Sequence, residues 1–237
     1  MSYSEIIHEV RDGVAWITLN RPERLNAWTR VMAVTGAGKC FCAGADMSLL
    51  SGVVESGGST VLHRDYSWIT RLAKPVIAAV NGHCVGLGFV IALYCDIRLA
   101  ADTAKFSTIF AKRGLIAEYG LAWTLPRIVG AGRALDLLLT ARTFDGHEAL
   151  RLGLVEHVFA EAEFSLRAAA YAEEMARSVS PRSTRVMKSQ VYAAMEETLN
   201  EATEHAYREM MPSLQCEDFK EGVAHFLEKR PARFSGR

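Results

Sequence analysis

The sequence predicts an α/β protein, and its central stretch carries the pattern most clearly. The apolar run at 76–80 is too short for a helix and is best explained as a buried strand. Asn81-Gly82 ends this strand. Glycines at 86 and 88 come next, and the apolar run at 89–94 predicts a helix that begins at Leu87 or Gly88. A predicted N-terminal hairpin and a helical C-terminal region complete the pattern.

Strands are predicted in the first part of the chain. Segments 5–10 and 14–19 flank a glycine turn and predict a β-hairpin. Residues 31–35 predict a strand that is followed by a glycine turn, and residues 104–110 predict another. Between these two strands, the segment that ends at Ala73 predicts a flexible loop followed by a helix. Its polar candidates near a pocket are His63, Asp65 and Tyr66.

The second part of the chain predicts helices with recognisable ends. One helix spans 134–140, and a second has Asp145 as its N-cap and ends at Gly153. From Glu161 onward the chain predicts further helices, one starting at Pro181 and another broken at Pro212. Apolar residues spaced along one face make this region amphipathic, which fits either core packing or a subunit interface; they are Val186, Val191, Met195 and Leu199.

The predicted helix start at Leu87 is the first candidate for chemistry. The first N–H groups of a helix have no intrahelical acceptor, and the positive end of the helix dipole favours an oxygen that carries negative charge. Glycines at 86 and 88 allow a ligand to approach the backbone, but a tight turn with close packing explains them equally well. A dinucleotide fingerprint would need a third glycine at position 91, which is Ile.

A second backbone donor is predicted upstream, after the strand at 31–35. The small residues Ala43, Gly44 and Ala45 would let a ligand lie against the main chain. The N–H of Ala45 is then available as a donor. Two backbone donors that converge on one oxygen form an oxyanion hole.

Composition excludes several classes of protein. The net charge is zero, with 27 basic and 27 acidic residues, and no basic cluster indicates a nucleic-acid surface. The five cysteines form no pair of CxxC motifs, which argues against a disulfide framework or a zinc site. No signal peptide or apolar run of membrane-spanning length is recognisable. We expect a cytoplasmic protein with reduced thiols.

Six segments of the sequence together resemble the enoyl-CoA hydratase/isomerase (crotonase) superfamily. They follow one another over nearly the whole chain: NRPERLNA at 20–27, FCAGADM at 41–47, KPVIAAVNGHCVGLG at 74–88, CDIRLA at 95–100, GRALDLLLTARTFDGHEALRLGLVEHV at 132–158 and EDFKEGVAHFLEKRPARF at 217–234. The resemblance implies repeated ββα units (the ClpP/crotonase fold) over residues 1–160. It also implies a C-terminal helical trimerisation region over 161–237.

The resemblance further implies an acyl-CoA thioester substrate and no metal or redox cofactor, with coenzyme A entering only as part of the substrate. The backbone donors of the oxyanion hole would be Ala45 and Leu87, where the family usually has Gly at the second position. A homotrimer or hexamer is expected. The residues implied at the acyl or CoA site are Arg24, Leu25, Ala43, Asp46, Met47, Gly86, Val90, Phe110, Phe226 and Lys229, the last two across a subunit boundary.

The chain departs from the family at its catalytic acids. Hydratases of this family carry two glutamates, and the matching positions are Val90 and Phe110, which cannot transfer a proton. Glu118, in the segment GLIAEYG, is the remaining acid in the expected region. A carboxyl in apolar surroundings has a raised pKa that suits acid–base work, whereas a salt-bridged or solvent-facing glutamate is the plain alternative. Asp46 is a second candidate, more suited to fixing the loop.

Several functions remain open from the sequence. An enoyl-CoA hydratase, a lyase, is favoured. A double-bond isomerase needs only one base and fits a single glutamate better. An acyl-CoA-binding protein without catalysis is the alternative of a different class, and a hydrolase or dehalogenase would use Glu118 as a nucleophile.

A second departure concerns the segment between the hairpin and the strand at 31–35. Only the ten residues 21–30 connect them, whereas a parallel crossover needs a dozen or more, usually including a helix. Either the helix is lost or the printed sequence omits a stretch between about Ala27 and Val31. We favour the omission, because loss of the helix would uncover the sheet face on which it packs.

Overall fold

The computed structural model describes residues 6–11, 14–19, 30–45, 55, 57 and 65–237. The chain divides into two units, Met1–Arg30 and Val31–Arg237. In the first unit, strands β1 (Ile6–Arg11) and β2 (Val14–Leu19) pair antiparallel, with Ile6 opposite Leu19. This pairing confirms the predicted hairpin. The proposed omission between Ala27 and Val31 falls mostly outside the described residues.

Two four-stranded sheets organise the described part of the second unit. One sheet is entirely parallel, in the order β10–β7–β5–β3. The other has the order β4–β6–β8–β9, and only its β8–β9 pair is antiparallel. The strands are β3 (Met32–Val34), β4 (Cys40–Cys42), β5 (Val76–Val80), β6 (His83–Val85), β7 (Ile97–Ala101), β8 (Lys105–Ser107), β9 (Phe144–Asp145) and β10 (His157–Phe159).

Successive strands alternate between the two sheets. Strands β3, β5 and β7 belong to the parallel sheet, and each is followed by a strand of the other sheet. Helix α1 (Leu87–Tyr94) then connects β6 to β7. This alternation is the ββα repeat that the sequence predicts. All five residues of β5 are buried, as expected for a central strand of a parallel sheet.

Seven further α-helices follow α1 in the described residues. The cap predictions are confirmed: the Asp145 carboxylate accepts a hydrogen bond from Glu148 N at 2.8 Å, and Gly153 ends the helix with a φ of 74°. The helices are α2 (Leu121–Val129), α3 (Ala131–Thr140), α4 (Gly146–Leu152), α5 (Glu161–Ser178), α6 (Pro181–Ala194), α7 (Leu199–Gln215) and α8 (Glu217–Glu228).

Three predicted elements need correction. Pro212 does not break its helix, because α7 continues to Gln215; a proline so close to the helix end removes only one hydrogen bond of the last turn. The strand predicted at 104–110 ends at Ser107, because Ile109 adopts a left-handed φ of 56° and a 3₁₀ helix, Phe110–Arg113, follows. The helix predicted up to Ala73 is a 3₁₀ helix, Tyr66–Arg71.

Helix α1 lies inside the second unit. Six of its eight residues are buried. The Phe89 ring packs edge-on against Phe144, and Phe144 stacks on Phe106 of β8. A helix that is apolar on all sides is expected in a protein interior, so the position of α1 is fixed by contacts around its whole circumference. None of the described helices is long and apolar enough to cross a membrane.

A polar cluster with little solvent exposure joins helix α6 to the segment that follows α1. The Asp96 carboxylate, at the end of α1, forms an ion pair of 2.8 Å with Lys188 and accepts hydrogen bonds from the Tyr192 hydroxyl at 2.9 Å and from Val76 N at 2.7 Å. Lys188 also donates to two main-chain carbonyls. Buried charges of this kind are tolerated only when all their hydrogen bonds are made.

Replacing Asp96 tests this cluster. We expect Asp96→Ala to lower the free energy of unfolding by about 3–5 kcal/mol, because it leaves the Lys188 ammonium without its counter-charge and the Val76 N–H without an acceptor. The measurement is the midpoint of urea unfolding. Lys220→Ala is the control, since it breaks the exposed Lys220–Glu217 pair and should change the midpoint little. Equal shifts for both variants would contradict the prediction.

Candidate active site

Two backbone segments meet at the N-terminus of α1. A Cβ atom on Gly88 would overlap the carbonyl oxygen and Cβ of Cys42, so the loop after β4 lies directly against the first turn of the helix. A Cβ on Gly44 would lie 3.2 Å from Val85 O and 3.7 Å from Leu87 N. Gly44 has a φ of +100°, which only glycine adopts readily. The loop around Gly44 is therefore held beside the N–H of Leu87.

The N–H groups of Ala45 and Leu87 have no acceptor among the described residues. Leu87 is the first residue of α1, and its N–H has no intrahelical partner by geometry. Both backbone polar groups of the neighbouring Gly86, by contrast, form hydrogen bonds. Its N–H donates to Ser107 O at 3.1 Å, and its carbonyl accepts from Val90 N at 3.1 Å. Gly86 is thus fixed from both sides while the adjacent Leu87 N–H stays available.

Val90 and Phe110 border this segment and are buried. Val90 lies one turn along α1 from Leu87 and is 1% exposed. Phe110 is 6% exposed, and the preceding Ile109 places its Cγ2 3.2 Å from where a Cβ of Gly86 would be. The two positions that the resemblance assigns to catalytic glutamates are therefore apolar and buried.

Glu118 precedes helix α2 and is partly buried. Its main-chain carbonyl accepts a hydrogen bond from Leu121 N at 3.0 Å, and its carboxylate has no hydrogen bond or ion pair with a described residue. Burial raises the pKa of the Glu118 carboxyl above its ordinary value. The salt-bridged alternative finds no partner in the described part of the chain, and the raised pKa is compatible with acid–base chemistry.

The other candidate residues divide into three groups. Asp65 caps the first 3₁₀ helix and pairs with Arg71, and these hydrogen bonds lower its pKa to about 2, so it behaves as a surface cap. Tyr66 packs its ring edge-on at 5.1 Å from the ring of Tyr119, next to Glu118. Five candidates lie outside the described residues: Arg24, Leu25, Asp46, Met47 and His63.

Phe226 and Lys229 lie at the end of α8, away from this loop in sequence and packing. Helix α8 packs against α7, Phe226 is 76% exposed, and Lys229 caps the helix in a left-handed conformation. Within the described part of one chain, no hydrogen bond joins either residue to the Gly44 or Leu87 segments. Ala43, by contrast, belongs to the loop against α1 and is exposed.

A cavity of about 820 Å³ lies at the opposite end of α1. Its wall includes residues from Leu93 to Arg98, together with Gly120 and Trp123 of the α2 region and Val191 of α6. The proposed backbone donors are at the start of α1 and do not line it. Helical rise of 1.5 Å per residue separates the two ends by about 10 Å, so this cavity and the donor pair are different features.

Sequence reasoning missed two residues that contact the site. Ile109 touches Gly86, and the Tyr94 hydroxyl donates a hydrogen bond to the carbonyl of Tyr119, the residue after Glu118. Tyr94 follows Leu87 by seven residues, a spacing that puts both on one face of a helix. That spacing was the available signal for Tyr94, whereas the left-handed turn at Ile109 has no signal in the sequence.

These features define a class: α/β proteins of repeated ββα units that present free backbone donors at the start of a buried helix. The chain matches the model of the enoyl-CoA hydratase/isomerase family over residues 28–237. It belongs to that family, the crotonase superfamily, and this membership confirms the acyl-CoA, enoyl-CoA hydratase-like function predicted from the sequence motifs.

Individual relatives agree with this assignment. The chain is 35% identical to a probable enoyl-CoA hydratase of Rhodobacter capsulatus, with all of both chains covered, and 33% identical to the 1,2-epoxyphenylacetyl-CoA isomerase of Escherichia coli, with 98% of each covered. The crystal structure of a probable enoyl-CoA hydratase/isomerase from Mycobacterium abscessus is similar with a TM-score of 0.80 and 29% identity, covering 99% of this chain and 100% of that one.

The alignment with the Rhodobacter protein also bears on the short connection after β2. It runs over 260 positions, whereas this chain has 237 residues and is covered completely. The relative therefore contains residues that have no counterpart here. Their place in the alignment is not fixed by these lengths, so the omission near Ala27 stays a prediction.

Adding a methyl group at the contact between the two segments tests its importance. We expect Gly88→Ala to destabilise the protein and to abolish most of its activity, because the new Cβ would overlap the Cys42 backbone and push the donors apart. Gly132→Ala is the matched control: it adds the same atom to helix α3, where nothing lies within 4 Å, and should keep or slightly raise stability. Thermal unfolding and turnover are measured for both, and similar behaviour of the two variants would contradict the prediction.

Proposed function

We propose that this protein is an enoyl-CoA hydratase-like enzyme that binds the thioester carbonyl between the N–H groups of Ala45 and Leu87. The observation that carries the proposal is the direct packing of the Cys42–Gly44 backbone on the first turn of α1. It brings two donors without described acceptors onto adjacent segments. Charge that develops on the thioester oxygen would be stabilised by both hydrogen bonds and by the α1 dipole.

Glu118 is the proposed proton-transfer group. In hydration, its carboxylate takes a proton from water, the hydroxide adds to the β-carbon, and the resulting enolate receives the proton at the α-carbon. The charge rests meanwhile on the thioester oxygen. Burial raises the pKa of Glu118, which makes its carboxylate a stronger base than an ordinary one and supports its proposed part in proton transfer.

Double-bond isomerisation is the second candidate, and the burial of Val90 and Phe110 favours it. In this reaction Glu118 takes a proton from the α-carbon of a 3-enoyl thioester and returns it to the γ-carbon, so one base is sufficient. The apolar side chains at both usual glutamate positions offer no hydrogen bonds to a water nucleophile. A nucleophilic role for Glu118, as in a hydrolase or dehalogenase, and simple acyl-CoA binding are the other outcomes that the experiment distinguishes.

Oligomerisation is proposed on the exposed apolar surface of the C-terminal helices. Val191 is 59% exposed and Leu199 82%, so these two residues of the predicted stripe do not pack in the core of one chain. Phe226 and Leu227 on α8 are 76% and 72% exposed. Apolar side chains grouped in this way are expected at subunit interfaces. A trimer or hexamer would cover them and would give Phe226 and Lys229 a route to the CoA of a neighbouring subunit.

The direct test is turnover by the wild type and Glu118→Gln. Two substrates are used. Hydration of a short 2-enoyl-CoA is measured by the loss of the conjugated thioester absorbance, and isomerisation of a 3-enoyl-CoA is measured by the appearance of the same absorbance. We expect Glu118→Gln to lose a factor of about 10² or more on the preferred substrate, because the amide cannot accept the proton. Glu173→Gln, an exposed change on α5, is the control. Equal activity of wild type and Glu118→Gln would remove Glu118 from the mechanism, and binding without turnover would favour the non-catalytic alternative.

The raised pKa of Glu118 also predicts a pH dependence. The base must be ionised in the free enzyme, so kcat/KM should fall as the pH is lowered through the pKa of Glu118, and this fall should begin at a higher pH than for an ordinary carboxyl. The contribution of Glu118 to the free energy of unfolding changes with pH in the opposite direction to kcat/KM. The folded state binds the proton more tightly than the unfolded state, so the contribution of Glu118 to stability decreases as the pH rises through its folded pKa. Unfolding of wild type and Glu118→Gln across this pH range should show that decrease in the wild type only.

A further inference from the structure

The turn that carries Glu118 has an unusual backbone. Tyr119 has a φ of 53° and Gly120 a φ of 73°, so two successive left-handed residues follow the glutamate. For a residue with a side chain, this conformation costs about 1 kcal/mol or more, and it persists only when the surroundings hold it. The question is which contacts hold this turn.

Tyr94 supplies the hydrogen bond. Its hydroxyl donates to the carbonyl oxygen of Tyr119 at 2.6 Å, and its side chain is buried. A Cβ on Gly120 would overlap this hydroxyl, so glycine is needed there both for the positive φ and for the approach of Tyr94. The Tyr66 ring packs edge-on against Tyr119 from another side.

A cavity adjoins one side of the turn, at Gly120. Tyr94 and Gly120 both line the 820 Å³ cavity at the end of α1, so packed side chains do not fill the space beside them. The carbonyls of Glu118 and Gly120 accept hydrogen bonds from the helix that follows, whereas the Tyr94 hydroxyl joins the turn to α1. Beside a cavity, such a directed hydrogen bond has a larger share in fixing the backbone. The Tyr94 hydroxyl is therefore well placed to determine the position of residues 118–120.

Tyr94 and the proposed donor residue Leu87 belong to the same helix, so the Tyr94 hydroxyl links the Glu118 turn to the helix that carries the donor. Leu87, Val90 and Tyr94 are spaced by three and four residues and form one stripe along α1. Helical side chains lean toward the N-terminus, so Tyr94 reaches back toward Val90 and Leu87. Helix α1 thus carries the oxyanion donor at its first residue and the support of the Glu118 turn at its last.

We propose that Tyr94 is a positioning residue for Glu118: its hydrogen bond to the Tyr119 carbonyl fixes the carboxylate relative to the backbone donor at Leu87. The inference rests on the proton-transfer role of Glu118 proposed above. Tyr94 does not touch the substrate in this arrangement. It acts through the turn, and a merely structural role would affect stability without changing the chemistry of Glu118.

The experiment compares Tyr94→Phe with Tyr192→Phe. Each removes one hydroxyl from a tyrosine that lines the cavity, but the Tyr192 hydroxyl donates to Asp96 and not to the turn. We expect Tyr94→Phe to lower kcat by about 10- to 100-fold with little change in KM, the loss that follows when a catalytic group is displaced by about 1 Å. We expect Tyr192→Phe to keep kcat. Thermal unfolding of both variants shows whether their stabilities are comparable.

A double variant shows whether Tyr94 acts through Glu118. If it does, Glu118→Gln/Tyr94→Phe has the same residual activity as Glu118→Gln alone. Independent loss in the double variant, or wild-type kcat in Tyr94→Phe, would overturn the inference while the role of Glu118 stands. Full activity of Glu118→Gln would overturn the proposed role of Glu118, and with it this inference.

A second readout does not depend on turnover. Carbon-13 NMR of labelled glutamate, with the Glu118 signal identified by its loss in Glu118→Gln, gives the titration of this carboxyl directly. We expect Tyr94→Phe to shift that titration toward lower pH, because a released turn lets water reach the carboxylate, and Tyr192→Phe to leave it unchanged. An unchanged titration in Tyr94→Phe would contradict the positioning role.

Discussion

The close approach of two backbone segments at the first turn of α1 is the constraint on which the rest of the site depends. Gly88 leaves room for the Cys42 carbonyl, and Gly44 takes a conformation that a side chain would oppose. Backbone donors cannot be moved by side-chain adjustment, so their separation is set by how the two chains pack. Helix α1 begins at this contact and is buried on nearly every side, so the packing around it fixes the position of the Leu87 N–H.

Much of this arrangement could be predicted from the sequence because local patterns determine it. A strand of five apolar residues, a break at Asn81-Gly82 and glycines at 86 and 88 were sufficient to place the start of α1, and Asp145 and Gly153 marked the ends of α4. Family motifs supplied the ββα repeat and the acyl-CoA chemistry. In each case neighbouring residues carry the signal, so no knowledge of distant contacts is needed.

The features that escaped prediction depend on contacts between distant residues. The hydrogen bond from Tyr94 to the Tyr119 carbonyl joins positions 25 residues apart; the spacing along α1 indicates the face on which Tyr94 lies but not this partner. The left-handed turns at Ile109 and Tyr119 belong to residue types that rarely adopt them, so local propensity argues against both. The prediction at Pro212 was wrong although it rested on a local signal. Proline usually breaks a helix, but this one lies in the last turn of α7, where it removes little hydrogen bonding.

Hydration and isomerisation pass through different thioester enolates, both with negative charge on the thioester oxygen, and they differ in the other groups that the site must supply. A water nucleophile needs two or more polar partners to be ordered beside the β-carbon. Val90 and Phe110 supply none, and both are buried, so Glu118 alone would have to orient the water and accept its proton. In isomerisation, apolar walls are an advantage, because they keep the proton on Glu118 from exchanging with solvent before its return to carbon. The proposed backbone donors would therefore serve both reactions, and the buried apolar side chains of Val90 and Phe110 support the proposal that a proton is transferred between carbons.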